Sequence, residues 1–164
     1  GLKASAVIKQ GYGYCVSKAV LLAAAGRAVG IPTRLGFADV KNHLSSEKLK
    51  QAMQSDVFSW HGYTEFYLDN KWVKATPAFN KLLCDKTGIK PLEFDGENDS
   101  VFHEFDQAGN KHMEYLKDHG PFDDLPFQKI AEAYKKQYPM FAKLLEQQAE
   151  LNIEGQFDDE ASSN

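Results

Sequence analysis

Residues 15–30 read CVSKAVLLAAAGRAVG, a run broken by strongly polar side chains only at Ser17, Lys18 and Arg27. Alanine, leucine and valine at this density predict a helix buried on most of its faces. Gly30 and Pro32 end it, the glycine as a left-handed C-terminal cap and the proline as a residue that cannot continue a helix. A helix of this kind must lie against other elements, which restricts the chain to a layered architecture. Lys18 and Arg27 also interrupt the run well short of the uninterrupted apolar stretch that spans a bilayer, so a membrane role is not expected.

Cys15 falls in the first turn of that helix, just past the glycine-rich stretch Gly11-Tyr12-Gly13-Tyr14. Unpaired N–H groups and the helix dipole at such a position favour an anion, so a thiol there is expected to ionise more readily than a free one. Two roles remain open at this point: a small buried packing residue, or a nucleophile that needs a base.

With 164 residues the chain fits one domain with a real core, read as residues 1–153, and its 11 Phe, 7 Tyr and 2 Trp are not those of a disordered polymer. The formal charge of −4 arises from the end of the chain. Residues 154–164, EGQFDDEASSN, hold four carboxylates and no cation, and without them 19 acidic residues face 19 Lys and Arg. That end is read as an acidic disordered tail, and the neutral body offers no basic stripe for nucleic acid. Cys15 and Cys84 are too few for a disulfide framework, so a reducing, cytoplasmic setting is the expectation. Cys84, after two leucines, is read as packing. The start at Gly1 without methionine suggests a processed or excised chain.

Residues 1–10 read as a short amphipathic lead-in of helical turns. TRLGFADV, 33–40, alternates as a strand. Ser45 or Ser46, with Glu47 behind it, would cap a polar helix SSEKLKQAMQS. WHGYTEFYLDNKWVKATPAF, 60–79, predicts a β-hairpin that turns at Asp69-Asn70, with Leu68 opposite Lys71. Extending that register puts Tyr63 opposite Thr76 and His61 opposite Ala78. Residues 85–125 have no period and read as a long irregular excursion. PFQKIAEAYKKQY and PMFAKLLEQQAEL are two helices, each opening on proline.

A base is available in the hairpin. His61 begins the first strand beside Trp60, and a histidine at a strand end can reach a helix N-terminus packed on the sheet. The register brings residues 76–80 beside it, where an orienting group belongs. Trp60 is a candidate wall for the acyl site, with hairpin core as its alternative role. The backbone N–H of Cys15 is a candidate oxyanion donor, and Gln10 a weaker one. His43 is a candidate cleft residue, with a surface role as the alternative. DGENDS, 95–100, has its glycine in the wrong place for a calcium loop, and His103, His112 and His119 lack the spacing of a helical zinc pair, so no metal and no cofactor are expected. The stretches 41–59 and 85–125 are the candidate substrate walls or lids.

In combination these segments resemble the transglutaminase-like, papain-related cysteine enzymes. Gly13-Tyr14-Cys15 aligns with the nucleophile, Arg27 to Arg34 with the helix exit, His61 to Glu65 with the base strand, and Trp72 to Pro77 with the strand that ends in the acid. The resemblance covers residues 11–80. It implies an α+β fold in which a buried helix bearing the cysteine packs on an antiparallel sheet bearing the histidine, with C-terminal helices covering it. It further implies transfer of an acyl group from a protein or peptide amide through a Cys15 thioester, with His61 as base. Thr76 stands where the family carries aspartate. A threonine hydroxyl can accept an imidazole Nδ1–H bond but brings no charge, and Asn80 is the alternative orienter.

Overall fold

The computed structural model describes residues 2–44, 50–51 and 54–139. The polar helix expected over 45–55 falls largely outside the described residues. The second C-terminal helix, apart from Pro139, and the acidic tail lie outside them too.

Helix α1, Ala4–Gln10, buries Val7 and stops at Gly11 (φ 77°), whose N–H donates to the Val7 carbonyl at 3.0 Å. Helix α2, Cys15–Ala28, follows. Its buried residues are Val16, Ser17, Ala19, Ala23 and Gly26, a stripe at helical spacing, while Arg27 and Ala28 face water. Cys15, Lys18, Val20, Leu21, Leu22 and Ala24 are half-buried beside that stripe, and of the helix only Ala25, Arg27 and Ala28 are exposed. Alanine and glycine at 19, 23 and 26 serve close approach to a sheet.

That sheet is four-stranded and antiparallel, in the order β3-β2-β1-β4. Its strands are β1 (Thr33–Asn42), β2 (Val57–Leu68), β3 (Lys71–Ala75) and β4 (Met113–Phe122). The β2–β3 hairpin turns at Asp69 (φ 47°) and Asn70 (φ 64°), with Leu68 opposite Lys71 as the sequence predicts. The ladder ends at Thr64–Ala75, however. The expected pairs Tyr63–Thr76 and His61–Ala78 do not form. Pro77 closes the strand, and the Thr76 N–H turns away to the Ser100 carbonyl at 3.0 Å. His61 pairs instead with Ala38 on β1.

Two short features went unread in the sequence. Helix α3, Lys81–Thr87, is capped by Asn80 and ended by Gly88 (φ 68°). Strand β4 lies inside the stretch expected to be irregular, and it joins β1 as an edge strand with two register shifts. One sheet face packs Val16, Ala19 and Ala23 of α2 on Leu35, Phe37 and Trp60, joined by Ile130 of helix α4, Phe127–Gln137. On a second cluster Ala38, Val40 and Tyr63 meet Phe102 and Met113, with Phe79 and Leu92 against them. Among the described residues no helix is long and apolar enough to cross a membrane.

Candidate active site

The start of α2 is built tightly. Ser17 Oγ accepts the Tyr14 N–H at 3.0 Å and donates to the Tyr14 carbonyl at 3.1 Å, closing the first turn. A Cβ on Gly13 would fall 2.5 Å from that Oγ, so the glycine two residues before Cys15 is a steric requirement. Gly62 of β2 plays the same part from the sheet side, since a Cβ there would sit 3.0 Å from the Val16 backbone. Absence of a side chain at 62 lets strand and helix touch at the cysteine. Lys18 Nζ fastens the turn to the segment after β3 by donating to the Ala78 carbonyl at 2.8 Å.

Cys15 is partly buried and free. Backbone N–H groups of Gly62, Val16 and Cys15 stand where they would stabilise a thiolate, and Lys18 adds a favourable charge. None of them makes a hydrogen bond with the resting thiol that meets ordinary geometry. Burial outweighs all of them and pushes the thiol above its ordinary range. Burial thus works against the lowering expected at the helix start, and disfavours the anion by more than the backbone donors and Lys18 favour it. The same burial pushes the neighbouring Tyr14 hydroxyl up to about 12, with the Cys15 charge adding to it.

His61 is 5% exposed and lies beside Phe102, ring centroids 4.9 Å apart. Burial alone pulls its imidazole down to about 4, so the ring is neutral at pH 7. Its Nε2 is buried without a partner, and so is Thr76 Oγ1. The expected hydrogen bond from His61 Nδ1 to Thr76 is not formed. Thr76 Oγ1 lies near enough to the Tyr115 hydroxyl to favour its ionised form, without reaching hydrogen-bond geometry. Asn80 is exposed, and its Oδ1 is occupied by the Leu83 N–H at 2.8 Å as the cap of α3.

Other expected residues have settled roles. Trp60 is 9% exposed and belongs to the core cluster against which Cys15 packs, so it is a core residue adjoining the thiol. Gln10 is exposed and donates to the Tyr12 carbonyl at 3.2 Å. His43 Nε2 meets Glu114 Oε2 at 2.9 Å. Cys84 is buried, as a packing residue would be. His112 is fully buried between Phe79 and Phe102, with both ring nitrogens unpartnered. His119 bonds Asp39, and neither residue of that pair was expected at the thiol.

Two motif residues prove to be a brace. Arg34 and Glu65 are directly paired across β1 and β2 and form an ion pair in which Glu65 is almost wholly buried. The Arg34 guanidinium also lies 4.1 Å from the Trp72 ring centroid. Their place in the pattern thus has a structural reason, fixing the register of the strand that carries His61.

Residues 1–77 match the family model of the transglutaminase-like superfamily. No curated protein and no solved structure matches the chain. The mixed helix and antiparallel-sheet architecture agrees with that family's fold, and the matched residues include Cys15, the Arg27–Arg34 exit, His61 and Thr76. Over residues 1–77, a little under half of its length, the chain is similar to the transglutaminase-like superfamily.

Proposed function

We propose that this chain is a cysteine-dependent acyl-transfer enzyme acting on amides of a protein or peptide, with Cys15 as nucleophile and His61 as base. The observation that carries the reading is the set of backbone N–H groups around Cys15, from Gly62, Val16 and Cys15 itself, with Gly62 directly following His61. Such donors stabilise the thiolate as it forms and then the oxyanion of a tetrahedral intermediate. His61 takes the thiol proton as the sulfur attacks the amide carbonyl carbon. The C–N bond breaks, the departing nitrogen takes that proton, and the acyl group stays on Cys15 as a thioester. Water or a primary amine then attacks the thioester and returns a proton through His61 to the leaving sulfur. An amine acceptor makes the reaction a transglutamination, and water makes it a peptidase or amidase reaction. Residues 1–153 act as one domain in this reading, in a reducing, cytoplasmic setting that keeps both thiols free.

One observation favours a second reading, a protein-binding module of weak or no activity. Thr76 brings no charge to His61, and both the thiol and the imidazole are held in their neutral forms by burial. Incubation with glutamine-rich protein, with and without a labelled primary amine, separates the two. The enzyme reading expects an acyl adduct on Cys15 by mass mapping, none on Cys84, and loss of turnover by ~10²-fold or more in His61→Ala. A folded protein that never forms the adduct supports the binding module instead.

A further inference from the structure

Two bulges, one in each strand that flanks β1, meet at one residue of it. Opposite Asp39, β2 carries an extra residue between the pairs Ala38–His61 and Val40–Phe58. Strand β4 carries His119 as an extra residue between the pairs Phe37–Gly120 and Ala38–Asp118. On β2 the insertion is taken up at Trp60, whose φ of 55° lies in the left-handed region that bulky side chains rarely enter. Bulges of this kind redirect the side chains that follow them, and a conformation so disfavoured persists only where its surroundings over-determine it.

The surroundings here do so from three sides. Asp39 Oδ1 accepts the Trp60 N–H at 2.9 Å and the His119 Nε2–H at 2.8 Å. The Trp60 indole lies flat on the His119 imidazole, centroids 4.2 Å apart and planes 10° apart. Next in the chain after the clamped residue come His61 and Gly62, the segment that meets the start of α2. The clamp also shares a side with the thiol, because Cys15 packs on the cluster containing Trp60 and the hydroxyls of Tyr134 and Tyr138 feel both Cys15 and Asp39.

We infer that Asp39 and His119, closed over Trp60, are positioning residues for the Cys15 site: they lock the left-handed turn at Trp60 and so hold the His61–Gly62 edge of β2 against the start of α2. The inference rests on the Cys15–His61 reading proposed above and adds to it the device that sets the approach of the strand. Neither residue touches the reacting atoms. Their effect passes through the Trp60 N–H and the stacked rings.

The test reads the thiol itself and needs no substrate. Second-order rates of Cys15 alkylation by iodoacetamide are measured from pH 6 to 10 in full-length Asp39→Ala, Asp39→Asn and His119→Phe. Asp39→Ala frees the Trp60 N–H, Gly62 draws away from the sulfur, and losing one donor to an anion slows the reaction about tenfold at pH 8 with the midpoint moved upward. Asp39→Asn keeps an acceptor oxygen and recovers the profile. His119→Phe keeps the stack but not the bond to Asp39 and falls between. A folded Asp39→Ala with the wild-type profile overturns the clamp, and if that variant does not fold, an unshifted His119→Phe overturns it instead. Asp39→Asn as slow as Asp39→Ala also overturns it, since the acceptor would then not be what matters. Failure of the acyl-transfer reading would look different: these shifts would remain while the wild-type protein formed no thioester.

Discussion

Replacing His61 with glutamine should flatten the acid side of the stability profile. Burial sets the folded imidazole at about 4, whereas an unfolded histidine titrates near ~6.5. As pH falls through that window the unfolded chain binds the proton first, so this residue's contribution is complete above ~6.5 and is lost as pH drops toward the folded value. The gap is ~2.5 units, and at 1.36 kcal/mol per unit the loss approaches ~3 kcal/mol at pH 4, with roughly 2 kcal/mol already gone at pH 5. His112 is also pulled down by burial and tilts the profile the same way, so the comparison must be between wild type and variant. Urea unfolding at half-unit steps from pH 7.5 to 4.5 measures it. A glutamine side chain does not titrate, so the difference in unfolding free energy between wild type and His61→Gln should narrow by ~2 kcal/mol between pH 7 and pH 5. Parallel profiles would mean that the ring gains a proton as easily folded as unfolded. The neutral resting state assigned to His61 would then be wrong.

Two further outcomes follow from the same packing. Gly62→Ala places a Cβ 3.0 Å from the Val16 backbone, which cannot rotate away, so strand and helix must part. The melting temperature should fall by several degrees, as overpacking by ~1–3 kcal/mol implies, and Cys15 alkylation should slow with it; an unchanged melting temperature would refute the close approach. If position 76 acts on His61 as the family's acid does, Thr76→Asp supplies an opposite charge that favours the imidazolium, and histidine-ring NMR should show the His61 titration moving upward from about 4; an unmoved titration would put position 76 out of reach of the ring. Thr76→Val should leave it in place, because Thr76 Oγ1 bonds nothing now, and a large shift in the valine variant would show that the hydroxyl does orient the ring.

What could be read from the sequence and what could not divides along physical lines. Local signals carried well: the apolar run with Gly30 and Pro32 at its end gave α2, and Asp69-Asn70 between aromatic runs gave the hairpin with its register at the turn. Strand β4 carried no such signal. Only Met113 in it is buried and half of it is exposed, so nothing forces apolar and polar residues to alternate, and Gly120 and Pro121 read as loop. The extrapolated pairs beyond Ala75 failed because Pro77 cannot extend a ladder and Ser100, distant in sequence, supplies the partner for Thr76. Cys15 and His61 were legible as residue types in a motif. Their protonation was not, because burial is a property of the assembled layers and works against the lowering that the helix start alone predicts. Asp39 and His119 are 80 positions apart, and only the bulges that bring them together reveal them.

The neutral state of the pair and the threonine at 76 are consistent with one another energetically. Burying an ionised cysteine and histidine together costs several kcal/mol per ion before their attraction is counted, and a buried aspartate would add a third charge to a site with few donors. With Thr76 no ion need be buried: thiol and imidazole rest uncharged, Oγ1 and Nε2 carry only the smaller cost of unsatisfied neutral groups, and the fold is spared the larger one. The consequence falls on the chemistry. Without a carboxylate, stabilisation of the imidazolium must come from elsewhere as the thiol proton moves. The donors already in place favour the thiolate side of that transfer only, through Gly62, Val16 and Cys15 N–H groups and the Lys18 charge. An acyl substrate that brings its own acceptor, or a water, to the ring nitrogen opposite the one that takes the thiol proton would complete the imidazolium's hydrogen bonding at the moment of transfer. The proposed reaction thus requires that charge separation be deferred until substrate is bound, and a resting enzyme with a sluggish thiol is what that requirement predicts.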